Sequence, residues 1–233
     1  MNKKTVGIIG GVGPAATSKL FDLIIKNTYA QCDNDHIHII IDNNTSIPDR
    51  TKAILNNTND PVREIVKSIN KLKQSGADLF AIPCVTAHFY FEEIVNETKI
   101  NLINIIEEMA LLCKKNKINK VGIMATKGTC KAKLFDSFFL KNDIDVFYPN
   151  EDELQQLMFI IYKQVKAGVD ANPLLMQQYI DRMKKNGVDT IILGCTELPL
   201  VFKNGFMNMR FVDSLEVCAK AIIKKAGYKI KNE

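Results

Sequence analysis

Tryptophan is absent from this 233-residue chain, and arginine is scarce and scattered, at Arg50, Arg63, Arg182 and Arg210. A nucleic-acid surface wants clustered arginine interleaved with aromatic platforms, so no nucleic-acid partner is expected. Long apolar runs are missing too: none reaches the roughly 18 residues of a membrane span, and no membrane partner is expected. The opening MNKKTVGIIGG passes from two lysines straight into a strand-and-turn pattern instead of a signal peptide, which leads to the expectation of a cytoplasmic protein. The six cysteines, Cys32, Cys84, Cys113, Cys130, Cys195 and Cys218, contain no C-x-x-C pair, which argues against a zinc ribbon or a disulfide framework. Reduced thiols are expected.

What is present is an ordinary globular composition, 46% hydrophobic and 24% charged, in a chain long enough to bury one large core or two smaller ones. The formal charge of +5 comes from scattered lysines and from the tail Lys220 to Lys231, and it reads as a solvated surface compatible with small anionic substrates. Short β-rich runs alternate with helix-length segments. TVGIIG is followed by a helix from about Pro14, then HIHIII, a helix after Asp60, DLFAIP, and a helix after Thr86. The second half repeats the rhythm: KVGIMAT, a helix through Leu134, IDVFYP, two helices between Glu151 and Lys185, TIILGC, and a strand near Phe211 before a C-terminal helix. Such alternation calls for parallel sheets covered by helices, an α/β fold.

The halves also resemble each other. GADLFAIPCVTAH (Gly76 to His88) aligns with GVDTIILGCTELP (Gly187 to Pro199), with Gly76, Asp78 and Cys84 matched by Gly187, Asp189 and Cys195, each 111 residues on. KTVGI at Lys4 and NKVGI at Asn119 pair at an offset of 115, and KLFD occurs at both Lys19 and Lys133. A duplicated α/β unit follows: two similar domains related by pseudo-twofold symmetry, with a cleft between them. The expected division puts residues 1–102 and 209–233 in the domain of the first cysteine and residues 103–208 in that of the second. Ligands of parallel sheets bind beyond the carboxyl ends of strands, and in each half the cysteine falls at that end.

GGVGPAA (Gly10 to Ala16) satisfies the G-x-G-x-x-A form of a dinucleotide fingerprint, but the acid that should close the second strand is misplaced. The stretch reads instead as a tight turn, with Pro14 near the first helical position, whose backbone shapes a pocket for a smaller anion. His36 and His38 lie two apart on an expected strand, without a placed third ligand, so no metal is expected. Cys32, Cys113, Cys130 and Cys218 read as packing residues. Cys84 and Cys195 differ, because Thr86 and Thr196 follow them where a helix is expected to begin, and a helix N-terminus lowers a thiol's pKa. DNNTSIPDR (Asp42 to Arg50) is a polar loop at the same sheet edge, where Arg50 reads either as a surface charge or as a bidentate carboxylate ligand. Lys166, near a helix end, carries the same ambiguity.

Taken together, IIGGVGPAAT, NNTSIPDRT, IPCVTAH, the Ile161 to Gly168 region and LGCTELPL resemble, over nearly the whole chain, the cofactor-independent aspartate racemases of the aspartate/glutamate racemase superfamily. The resemblance implies two α/β domains with the active site between them, commonly in a homodimer, with neither pyridoxal phosphate nor metal. It implies Cys84 and Cys195 as acid/base thiols on opposite faces of the substrate's α-carbon. Arg50 and Lys166 would bind the side-chain carboxylate of aspartate, and Thr86 and Thr196 the α-carboxylate. Gly11, Gly13, Asn43, Thr45, Val85 and Glu197 would complete the pocket. Val85 stands where the family carries asparagine, which removes a hydrogen bond to the substrate head group and opens the choice to glutamate, other amino acids, a hydantoin or maleate. A carboxylate-binding protein without turnover is the reading from a different class.

Overall fold

A parallel strand covered by helices on both faces is apolar at consecutive positions instead of alternate ones. VGIIG obeys this rule as β1 (Val6–Gly10), buried throughout. Its neighbours are β2 (Ile39–Asn43) and β3 (Leu79–Ala81), both parallel to it, in the order β2-β1-β3. The second half gives β4 (Lys120–Met124), β5 (Asp145–Phe147), β6 (Thr190–Leu193) and β7 (Arg210–Asp213), also all parallel, in the order β5-β4-β6-β7.

The computed structural model describes residues 3–231 and divides into two compact units. One runs to Ile105 and resumes at Leu215; the other is Ile106–Ser214. The duplication seen in the sequence extends to the topology. Beside β3, the Phe80 N–H donates to Asn101 O (2.9 Å) and the Ile103 N–H to Phe80 O (2.9 Å), so residues 101–103 do for β3 what β7 does for β6. Each unit thus hands the chain to the other only after its outermost strand, at the helices Ile105–Lys115 and Ser214–Lys225. That crossing lies a few residues later than residues 102 and 209, because backbone hydrogen bonds keep 103 with β3 and 210–213 with β6.

Local chemistry explains three further departures from the expected elements. HIHIII does not begin a strand at His36: a turn over Asp33–Asp35 precedes the ladder, which starts with Val6 opposite Ile39, so the two histidines are not on one strand face. The helix expected through Leu134 is cut into Lys127–Lys131 and Asp136–Leu140. Lys133 sits there in the left-handed region (φ 48°), with Leu134 N–H bonded back to Thr129 O and Lys133 N–H to Cys130 O, a Schellman-type stop. The polar loop ends in a helix of its own, Arg50–Leu55, capped by the Asp49 carboxylate accepting from Lys52 N–H at 2.8 Å.

The core of the first unit centres on the helix Asp60–Gln74, whose Val62, Ile65, Val66, Ile69 and Leu72 recur at helical spacing and are buried with Ile9 and Phe80. In the second unit the helix Glu151–Phe159 carries a capping box: Asn150 Oδ1 accepts from Glu153 N–H and the Glu153 carboxylate from Asn150 N–H. The same buried carboxylate takes two charged hydrogen bonds from Arg182, from Nε (2.9 Å) and Nη2, and Arg182 Nη2 also donates to Tyr148 O (2.9 Å). Arg182 thereby clamps the start of the helix Glu151–Phe159 to the helix Gln177–Lys185. Replacing it strands a carboxylate that is 4% exposed. Arg182→Ala should therefore cost about 3–5 kcal/mol in a chemical-denaturation experiment; a loss below about 1 kcal/mol would show the pair to be dispensable.

Candidate functional site

In the first unit the carboxyl ends of β1, β2 and β3 deliver three loops to one edge of the sheet. After β1, Gly11 adopts φ +81°, and a Cβ there would stand 2.3 Å from the Asn44 carbonyl carbon, so only glycine lets the first loop lie against the second. Thr17 fastens the turn from the helix Pro14–Asn27: its hydroxyl accepts from Gly11 N–H (3.1 Å) and donates to Gly13 O (3.0 Å). Pro14 occupies the first turn of that helix, as expected.

Arg50 is buried at the start of the helix Arg50–Leu55. Its Nη2 donates to Val12 O (2.9 Å), and its Nη1 to Pro48 O (3.0 Å) and Ile47 O (3.3 Å). The guanidinium therefore laces the glycine turn to the polar loop, and the surface-charge reading is ruled out. Asn43 closes β2 opposite Gly10, and Asn43 and Thr45 are both exposed.

Cys84 follows β3 and is 7% exposed. The segment after it is not an α-helix but a tighter turn, Val85–Tyr90, leading into the helix Phe91–Thr98, and Thr86 lies inside that turn instead of capping it. Val85 and Thr86 are buried. The Cys84 carbonyl accepts from Ala87 N–H (3.2 Å) and bonds His88 Nδ1 (3.0 Å). The Ile105 N–H donates to His88 Nε2 (3.2 Å), which makes that nitrogen the acceptor and leaves the proton on Nδ1. Its 3.4 Å approach to Ile103 O is then a contact, not a donated bond. Burial holds the imidazole's pKa below its ordinary value, so His88 is a neutral clip between the Cys84 backbone and Ile105. Sequence reasoning gave His88 no role, although its place four residues past Cys84 was a signal for such a return contact.

In the second unit Cys195 lies two residues past β6 and is 5% exposed. Gly194 precedes it where a Cβ would come within 2.6 Å of the Phe135 ring. The Cys195 Sγ–H donates to Glu197 Oε2 at 3.0 Å, and Thr196 Oγ1 reaches the same oxygen at 3.4 Å. Thr196 heads no α-helix, since only a three-residue turn, Leu198–Leu200, follows. The expected lowering of the thiol pKa is therefore corrected. Burial pushes the Cys195 thiol well above its usual range, the Glu197 charge adds to the push, and the positive charge of Lys166 opposes it.

Lys166 is exposed and ends a π-helical turn, Ile160–Val165, its N–H reaching back to Ile161 O (3.0 Å). Its ammonium sits 4.2 Å from the centre of the Tyr162 ring. One further loop belongs to this sheet edge and was missed: Thr126 and Thr129, after β4, are buried with their hydroxyls 3.1 Å apart. The offset of 115 residues that pairs β1 with β4 also pairs Gly11 with Thr126, and was the signal for it.

Two parallel-sheet units, each with a thiol just beyond a central strand, define a class. The chain matches the Asp/Glu/Hydantoin racemase family over residues 9–222, and it belongs to that family of isomerases. Among solved structures it is similar to the aspartate racemase of Picrophilus torridus (31% identity, TM-score 0.84, covering 98% of this chain and 96% of that one). It is also similar to an aspartate racemase homologue from Pyrococcus horikoshii (26% identity, TM-score 0.76, 96% and 99% covered). A broad specificity amino-acid racemase of Bacillus subtilis, RacX, is 26% identical over 94% of this chain and 96% of its own length.

The His88 clip has a pH signature. The unfolded chain takes up a proton near the ordinary histidine value of 6.5, while the folded imidazole resists protonation to lower pH. Stability present above about pH 6.5 should therefore be lost as pH falls through the window below it, by up to about 1.4 kcal/mol per pH unit. Urea unfolding of the wild type against His88→Gln, at pH 7.5 and pH 5.5, should show a smaller acid loss in the variant; identical losses would contradict the assignment.

Proposed function

We propose that this racemase interconverts L- and D-aspartate, with Cys84 and Cys195 as the two acid/base groups on opposite faces of the substrate's α-carbon. The observation that carries the reading is the duplication. Each half has one buried cysteine just beyond the carboxyl end of an apolar strand, after β3 and after β6. In one direction a thiolate takes the α-proton, breaking C–H and forming S–H, while the opposite thiol returns its own proton to the carbanion. The reverse direction exchanges the roles, with no net oxidation. The thiol pair supplies both acid and base, so the reaction as written draws on neither pyridoxal phosphate nor a metal.

Arg50 and Lys166 would hold the side-chain carboxylate, and Thr86 and Thr196 the α-carboxylate, stabilising the charge that develops as the proton leaves. Gly11, Gly13, Asn43 and Thr45 would line the pocket. Because Arg50 already spends donors on three backbone carbonyls, its grip on substrate would come pre-organised with the loop it laces. We further take the enzyme to be a cytoplasmic homodimer.

Val85 favours a second reading of the substrate. It is 1% exposed and apolar where an asparagine would offer a hydrogen bond, and loss of such a bond in a desolvated pocket costs about 1–3 kcal/mol. A relative of broad specificity fits that change. The test is chiral chromatography after incubation with L-aspartate, run beside glutamate, neutral amino acids, a hydantoin and maleate. Aspartate is expected to racemise; conversion of another substrate alone would move the assignment to it, and none would remove turnover. Cys84→Ala and Cys195→Ala should each lower the rate by about 10²–10⁴-fold or more. A single variant that keeps full activity would sink the two-thiol scheme.

A further inference from the structure

The duplication breaks just after the cysteines. The offset of 111 that pairs Cys84 with Cys195 pairs Val85 with Thr196 and Thr86 with Glu197, so a carboxylate follows the second cysteine where the first has a hydroxyl. That carboxylate is 4% exposed and stands 3.0 Å from the Cys195 sulfur, close enough to accept its proton in a hydrogen bond. We propose that Glu197 is a positioning residue that makes the two thiols unequal: it holds Cys195 as the protonated, proton-donating thiol at rest and restores that proton after each donation. The proposal deepens the two-thiol reading and rests on it for the donor role.

The physical argument concerns one proton and two buried acids. With the proton on sulfur, the pair carries a single negative charge, on Glu197, and the S–H···O bond is satisfied. Removing it would put a thiolate and a carboxylate about 3 Å apart with little water between, an arrangement like charges resist. When Cys195 gives its proton to the substrate carbanion, this costly state forms transiently, eased by the nearby charge of Lys166. A proton taken up from water by the Glu197 carboxylate and passed to sulfur, together with release to water of the proton that Cys84 took from the substrate, restores the starting pair of thiols, so charge and protons balance over the cycle. Thr196, whose hydroxyl also reaches Glu197 Oε2, steadies the carboxylate in place. The role differs from that of a pocket-lining substrate ligand, which is how the resemblance alone would use Glu197.

The consequence for catalysis is specific. A racemase has an equilibrium constant of one, so kcat/KM is equal for the two enantiomers whatever the thiols do. Inequality of the thiols appears only as a split in kcat and KM taken separately. In the wild type the enantiomer that needs Cys195 as base should show the lower kcat and the lower KM. Removing the Glu197 charge should bring the two enantiomers closer together.

The deciding experiment does not depend on turnover. Thiolate ultraviolet absorbance is titrated in the full-length protein and in Glu197→Gln, each against its Cys195→Ala counterpart, so that the difference reports Cys195. The Gln variant should titrate at least about one pH unit lower, a tenfold rise in the thiolate-to-thiol ratio. Glu197→Asp, which keeps the charge on a shorter arm, should fall between the two and serves where the Gln variant folds poorly, as judged by near-ultraviolet circular dichroism. An unchanged or raised midpoint in the Gln variant, or an Asp variant shifted as far as Gln, would overturn the proposal. If the titrations behave as expected while the wild type racemises nothing in the substrate panel, the thiol pairing stands and the racemase substrate reading fails.

Discussion

In a parallel sheet every strand runs out at the same edge, and this constraint puts the chemistry of each unit where it is. β1, β2 and β3 release the glycine turn, the polar loop and Cys84 at one edge of the first sheet; β4 and β6 release the Thr126 loop and Cys195 at one edge of the second. The buried apolar runs of β1, β3 and β6 have no polar work to do, and their role is to hold the loops still. Loops so anchored can carry side chains in conformations a free loop would not keep. Gly11 at positive φ against the Asn44 backbone is one case, and the buried guanidinium of Arg50 bonded to three carbonyls is another.

The same burial sets the electrostatics. A thiol removed from water resists ionisation, and a carboxylate beside it increases the resistance, so the Cys195 thiol lies well above its usual range. His88 shows the opposite sign: burial keeps it neutral, and as a neutral ring it can donate from one nitrogen and accept at the other, joining the Cys84 backbone to Ile105. One unit therefore fixes its cysteine through a backbone clip and the other through a side-chain acid. Two halves with one ancestry of pattern end in different local solutions.

Much of this was legible in the sequence because it rests on repetition and period. The alternation of short apolar runs with helix-length segments specified parallel sheets, and the matched Gly76, Asp78 and Cys84 against Gly187, Asp189 and Cys195 pointed to both cysteines together. What was not legible depends on competition between local hydrogen bonds. Thr86 and Thr196 looked like helix caps, yet the chain after each cysteine closes into tight turns in which the threonines are buried. The helix past Thr129 stops because Lys133 takes a left-handed conformation, which no periodicity announces. Arg50 could be named as a ligand or a surface charge, but its bonds to Val12, Ile47 and Pro48 require knowing that two loops far apart in sequence meet. Glu197 sat in plain view in LGCTELPL; its meaning came only with the 3.0 Å contact to sulfur.

Racemisation by two thiols requires that the group removing the α-proton differ from the group that returns one. The most direct test follows the isotope at that carbon during aspartate conversion in heavy water at low extent of reaction. The account predicts deuterium in the newly formed enantiomer while the remaining starting enantiomer keeps its protium, because each face is served by its own sulfur. Deuterium appearing equally in both enantiomers from the outset, or product formed with its original protium, would show a single base at work and contradict the two-thiol mechanism.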